Sequence, residues 1–238
     1  MTQRAFVCGY EILAELGRGT TGTVYKARHP VVKPERLLAL KMPSLGPATE
    51  VASRARYHNE WNALRVLTWE PDPAIPSLYD VGCDAAGQNN FYVREFVDGE
   101  TLEQLVSSGA VPLREGIRVL AAIAGAVQRM HDREIAHQNL RGSNVLVRAD
   151  GVPKLIGFGH VTPLAGAASP PPGMSGVSAS VDVLALQELL GWLCAALRQP
   201  VPASLEAVRR PGSVPSPGRF AEALARQVTH ADVSPLSR

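Results

Sequence analysis

His137-Gln138-Asn139-Leu140-Arg141-Gly142-Ser143-Asn144-Val145-Leu146-Val147 is the stretch on which the reading of this chain turns. It follows a helical pattern and runs into three apolar residues, so it reads as a loop entering a strand. The helix before it begins near Pro112, a residue suited to a first helical turn. Its apolar stripe is Leu113, Ile117, Leu120, Ala124 and Val127. Beyond the loop, Pro153-Lys154-Leu155-Ile156-Gly157-Phe158-Gly159 reads as a second strand and turn. The loop carries a histidine, two asparagines and an arginine, but no carboxylate.

Working outward toward the N-terminus, residues 10–28 place apolar residues on both sides of Gly17, Gly19 and Gly22, as in a hairpin, with Val24 following. Glycine at G-x-G-x-x-G spacing lets a backbone approach a phosphate and adopt φ > 0 without a Cβ clash. A dinucleotide-binding fingerprint has the same spacing but needs a helix after the glycines. Here Thr23-Val24-Tyr25 reads as a strand. Leu37-Leu38-Ala39-Leu40-Lys41-Met42 is an apolar strand holding one lysine, which either snorkels from the strand end or needs an anionic partner. A helix is expected from about residue 49 to residue 67, with Thr49 as N-cap and Tyr57, Trp61, Leu64 and Leu67 on one face. Glu60 lies at the edge of that stripe and is the candidate partner for Lys41.

Pro71, Pro73 and Pro76 close the helical region. Residues 75–81 and 91–97 read as strands, with a turn at Ala86-Gly87-Gln88. Thr101-Leu102-Glu103-Gln104 is a capping box that starts a short helix. After Gly159, residues 163–176 are rich in Pro, Gly, Ala and Ser and read as a loop. Residues 181–197 read as a buried core helix, too short and too polar for a membrane span. A proline-rich break at 211–218 precedes a small helix at 220–228.

Order and spacing together resemble the protein kinase family, of the bacterial serine/threonine type. The glycine loop, strand lysine, helix glutamate, H-x-N-L-x-x-x-N loop and x-F-G loop follow one another in the order of the family's motifs. The resemblance implies an α+β, two-lobe kinase-like fold in one domain. A five-stranded lobe with one main helix would span about residues 10–97, and a mostly helical, shortened lobe about residues 98–230. It implies that nucleotide-contacting positions fall at Gly17, Gly19, Gly22, Val24, Ala39, Lys41, Glu60, Arg94, Glu95, Val97 and Leu146. Arg94-Glu95-Phe96-Val97 would be the hinge. Arg94 would stand behind the adenine pocket, or else be a surface arginine on an edge strand. His137 would pack beneath Phe158 and above Asp182, and Asp182 would accept bonds from the loop backbone.

The departures decide the functional expectation. Asn139 stands where the family has its catalytic aspartate, and a neutral amide is no general base. Gly157 stands where the metal-holding aspartate of D-F-G belongs. Asn144 is the one metal-binding position kept, and an amide alone is a poor ligand for a hard dication. Arg141 replaces the loop lysine, keeping charge with altered geometry. No A-P-E motif follows, and the segment from Gly157 to Asp182 is short for the family. The expectation is a pseudokinase serving as a regulatory or protein-binding module. ATP is a candidate ligand, bound weakly without metal or not at all, and magnesium is not expected. The alternative is a serine/threonine kinase of low activity.

Composition bounds the remainder. The 238 residues are 45% hydrophobic, enough for a sizeable core, and the formal net charge of +2 is not concentrated anywhere. A nucleic-acid footprint is therefore not indicated. Cys8, Cys83 and Cys194 are scattered, which points to a reducing compartment, and the cytoplasm is the expected location. The regulatory reading implies a protein partner, and the short, polar-interrupted apolar stretch at 181–197 implies no membrane.

Overall fold

The computed structural model describes residues 5–19, 21–31, 36–43, 50–83, 90–167 and 176–230. Thr49 and the Ala86-Gly87-Gln88 turn lie outside them. The chain divides into two units, one made of Met1–Asp72 with Pro76–Val97, the other of Pro73–Ile75 with Asp98–Arg238.

The first unit is a six-stranded sheet in the order β1-β2-β3-β4-β6-β5, with one helix. The strands are β1 (Ala5–Val7), β2 (Tyr10–Gly19), β3 (Gly22–Arg28), β4 (Leu37–Met42), β5 (Leu78–Cys83) and β6 (Asn90–Glu95), and the helix is α1 (Glu50–Thr68). The expected five strands are thus one too few. β1 pairs antiparallel with β2 through a turn at Cys8 and Gly9, with φ of 50° and 87°. Positive φ at both central residues matches the twist of paired strands, at some strain for the cysteine.

Side chains alternate across the sheet with period two. Leu38 and Leu40 of β4 join Phe91 and Val93 of β6, with Tyr10 and Ala27, in one buried cluster. Ala39, Lys41, Tyr92 and Arg94 therefore share the opposite face. Register places Ala39 against Arg94 and Lys41 against Tyr92. Tyr57 and Leu64 of α1 are buried, and the Tyr57 and Tyr92 rings lie 5.6 Å apart.

In the second unit, β7 (Gly99–Thr101), β9 (Val145–Arg148) and β10 (Pro153–Leu155) form a sheet in the order β10-β9-β7. β8 (Ile135–Ala136) and β11 (Thr162–Pro163) form a two-stranded ribbon. The helices are α2 (Leu102–Ser107), α3 (Leu113–His131), α4 (Ser180–Ala196), α5 (Ala203–Arg209) and α6 (Pro217–His230). Thr101 caps α2 with both halves of the capping box formed by Gln104. Pro112 stands one place earlier than expected, as the N-cap of α3. The α3 stripe widens to include Val119, Ile123, Ala126 and Met130, and α6 and α4 pack against this helix. α5 was not foreseen, because a seven-residue helix between prolines shows little periodicity. Among the described residues no helix is long and apolar enough to cross a membrane.

Candidate functional site

In the first unit the glycine hairpin is built by β2 and β3. Only Gly22 of the three glycines takes positive φ, at 151°, and a Cβ there would run into the Met42 carbonyl. Gly17 and Gly19 are exposed and have open space around them, so the conformation does not require glycine at either. Thr21, at the tip, is buried, and its hydroxyl accepts a 2.6 Å hydrogen bond from Lys41 Nζ.

Lys41 and Glu60 form the expected buried ion pair. The second Glu60 oxygen accepts a 2.8 Å hydrogen bond from the Tyr92 hydroxyl, and Tyr57 donates to the Lys41 carbonyl at 3.2 Å. A buried carboxylate needs such saturation, since an unpaired charge there costs several kcal/mol, on the order of 3–5. Burial, then the neighbouring Glu60 charge, push the Tyr92 hydroxyl well above its ordinary pKa, while Arg94 acts in the opposite direction. Burial does the same at Tyr57. Tyr92 stays protonated and remains a donor.

Arg94 is half-buried and donates to the Glu95 carbonyl at 3.1 Å. It does not draw Glu60 away from Lys41. Ala39 is buried opposite it, Val24 is half-buried opposite Lys41, and Val97 is buried. Glu95 is half-buried, with a 3.4 Å contact from the Ser77 amide to its carboxylate.

In the second unit the loop hangs from Asp182. This fully buried carboxylate accepts from the His137 and Gln138 amides at 2.8 and 2.7 Å, and pairs with His131 Nε2 at 2.9 Å. Burial alone raises its pKa, but the hydrogen bonds from His131 and from the two amides prevail, and the net shift is downward. His137 is buried with its ring 5.1 Å from that of Phe158, edge to face. Gln138, at φ 60°, reaches β11 through its side chain, bonding the His160 carbonyl at 3.0 Å and the Thr162 hydroxyl.

Asn144 is buried, and its amide donates to the Asn139 carbonyl at 2.8 Å. Its own carbonyl takes the Ile156 amide at 2.8 Å, tying the loop to the turn at Gly157. Gly157 lies at φ 84° and ψ 37°. A Cβ on Gly157 would stand 2.6 Å from Asn144 Cγ and Oδ1. The Asn144 amide thus fills the place where a side chain at 157 would begin. The Asn139 side chain makes no hydrogen bond among the described residues, and Leu146 is half-buried on β9. Arg141 is exposed, in the wall of a pocket of about 540 Å³ shared with Glu103, Glu188 and Trp192. Among the described residues no group of three His, Cys, Asp or Glu is placed to hold a metal.

Thr21, Tyr92, His131 and Gln138 were not singled out from sequence. The bonds of Thr21, Tyr92 and His131 span 20, 32 and 51 residues, so no local pattern marks them.

A β-rich unit with a buried lysine–glutamate pair, and a helical unit whose loop hangs from a helix carboxylate, define a protein-kinase fold. The chain belongs to the protein kinase family: the protein kinase domain matches residues 10–179. It is 33% identical over 158 residues to a probable serine/threonine-protein kinase PknB of Lactococcus lactis, covering 66% of this chain and 24% of that protein. It is 31% identical to the serine/threonine-protein kinase PknL of Mycobacterium bovis, covering 66% and 38%. With serine/threonine-protein kinase C of Synechocystis it shares 30% identity, covering 72% and 32%. The chain therefore spans well under half of these relatives' lengths.

Proposed function

We propose that this chain is a pseudokinase: a kinase-fold regulatory module that binds another protein and does not transfer phosphate. The observation that carries the reading is the Asn139–Asn144–Gly157 arrangement. The general base and the metal-holding aspartate of the family are replaced by an amide and a glycine. Loss of general-base help alone lowers rates by about 10²–10⁴-fold. The side chains present do not suit magnesium, which needs hard anionic oxygens. Asn144 offers one amide, already hydrogen-bonded to the loop. Neither of the acids nearest in sequence stands in: Asp150 is exposed and paired with Arg148, and Asp182 is saturated by three donors. Three cysteines scattered along the chain, with no C-x-x-C spacing, suit a reducing compartment, the cytoplasm.

The test is a magnesium-dependent phosphotransfer assay on purified chain. No turnover above background is expected, and turnover that Lys41→Ala abolishes overturns the reading. One observation favours the alternative, a serine/threonine kinase of low activity: the Lys41–Glu60 pair is formed, as phosphoryl transfer in the family requires.

A further inference from the structure

Helix α1 has a second stripe, on the side away from the sheet. Tyr57, Leu64 and Leu67 are buried, and the acid between them, Glu60, is closed off by Lys41 and Tyr92. The opposite face carries Arg54, His58, Trp61 and Arg65, at the alternating steps of four and three that align side chains on a helix. Trp69 follows directly beyond the last turn. Members of the stripe touch. Trp61 Nε1 donates to His58 Nδ1 at 3.2 Å, and the Arg65 guanidinium lies over the Trp61 ring, 5.8 Å from its centre. Stacking of this kind orients a guanidinium and leaves its N–H fork to water. Among the described residues no carboxylate pairs with Arg65.

Beside Arg65 the Trp69 side chain is 84% exposed. Arg65, Thr68, Trp69 and Leu78 line an open pocket of about 350 Å³, all within the first unit. The Thr68 hydroxyl donates to the Leu64 carbonyl at 2.8 Å and accepts from the Leu78 amide at 2.9 Å. These bonds tie the end of α1 to β5, so the pocket is formed before anything enters it.

We infer that this stripe docks an acidic segment of a partner protein, with one large apolar side chain against Trp69 and a carboxylate forked on Arg65. The stripe's charges, Arg54 and Arg65, are both exposed cations, which selects an acidic occupant. Tryptophan and arginine side by side are the residue types that dominate binding energy at protein interfaces. Single-stranded nucleic acid fits less well, since it needs successive free ring faces and many cations. Here Arg65 covers Trp61, and the stripe has two arginines. The inference rests on the reading of the chain as a protein-binding module, and names its docking surface and the partner's chemistry.

The experiment selects phage-displayed random dodecapeptides on the full chain and measures the enriched peptides, synthesised, by fluorescence anisotropy. They are expected to carry acids near a single aromatic or leucine, and to bind more weakly as salt rises. Trp69→Ser and Arg65→Glu are each expected to weaken binding about tenfold or more while keeping the unaltered chain's Tm, both positions being exposed. A peptide with its acids changed to lysine should recover affinity for the Arg65→Glu variant, which a merely structural role of Arg65 would not produce. Should Trp69→Ser fail to fold, Trp69→Gln gives the same comparison. No enrichment, enriched peptides without acids, or affinities unchanged in both variants overturns the inference. So does tighter binding of oligothymidylate or phosphatidylserine vesicles at the same residues, or a dimer of the chain that Trp69→Ser dissociates in sedimentation. Turnover in the magnesium assay overturns the pseudokinase reading separately and leaves the peptide result unaffected.

Discussion

Gly157 joins two constraints that substitutions can separate. Its φ of 84° is left-handed, and the Asn144 amide stands 2.6 Å from where its Cβ would be. Gly157→Ala meets both, and is expected to lower stability by about 1–3 kcal/mol. Urea unfolding reads this, and pairing it with Asn144→Ala should cost less than the sum, because the second change removes the obstruction. Asp182 offers a test with a pH signature. Its pKa is held below the ordinary 3.8 by hydrogen bonds that outweigh burial. A carboxyl with a depressed folded-state pKa adds stability that is full above its unfolded pKa and lost as pH falls through the folded one. Asp182→Asn should therefore cost on the order of 3 kcal/mol at neutral pH. The gap to the unaltered chain should close as pH drops below about 4, the ordinary carboxylate range. A gap constant from pH 7 to pH 3 would show that the charge of Asp182 contributes nothing.

Helix α1 shows what periodicity reveals and what it hides. The stripe of Tyr57, Leu64 and Leu67 is visible at helical spacing, and all three are buried, with Trp61 half-buried beside them. Glu60 at the edge of that stripe demanded a cation, and Lys41 answers it. Tyr92 was invisible because a tyrosine in a strand reads only as a good strand former. Its second role depends on register, which sets it opposite Lys41. β1 was missed for a related reason: three residues are too few to show alternation, and its pairing rests on the Cys8-Gly9 turn. The loop from His137 to Asn144 was legible, since its kinase-like spacing ties each residue to a place. What spacing could not show is that the Asn144 amide lies against Gly157. Tyr92→Phe leaves one buried Glu60 oxygen without its donor. It should lower stability by about 1–3 kcal/mol, more than the deletion of an exposed hydroxyl, in a denaturant titration. A change within a few tenths of a kcal/mol would mean that water replaces the tyrosine.

Across the whole chain the departures from the family are unevenly distributed. The first unit keeps Gly22 at its close approach and the Lys41–Glu60 pair. The second keeps the framework, with Asp182 holding the loop backbone and His137 against Phe158, and carries Asn139 and Gly157 where carboxylates belong. Framework residues contribute to stability whatever chemistry the fold performs, so their retention beside lost carboxylates is what a binding role leads one to expect. This unevenness makes metal dependence separable from folding. Aspartate tolerates a left-handed backbone better than most residues, so Gly157→Asp needs only that the Asn144 side chain turn away. That turn breaks its bond to Asn139 and frees its oxygen beside a new carboxylate. The variant should be less stable than the unaltered chain by about 1–2 kcal/mol without ligand. It should also gain a thermal stabilisation by ATP that requires magnesium, a dependence the unaltered chain is expected to lack. Adding Asn139→Asp should leave that binding response in place, because residue 139 serves proton transfer and not the metal. A Gly157→Asp variant that folds yet responds to ATP identically with and without magnesium would show that more than the carboxylate at 157 is missing from the metal site.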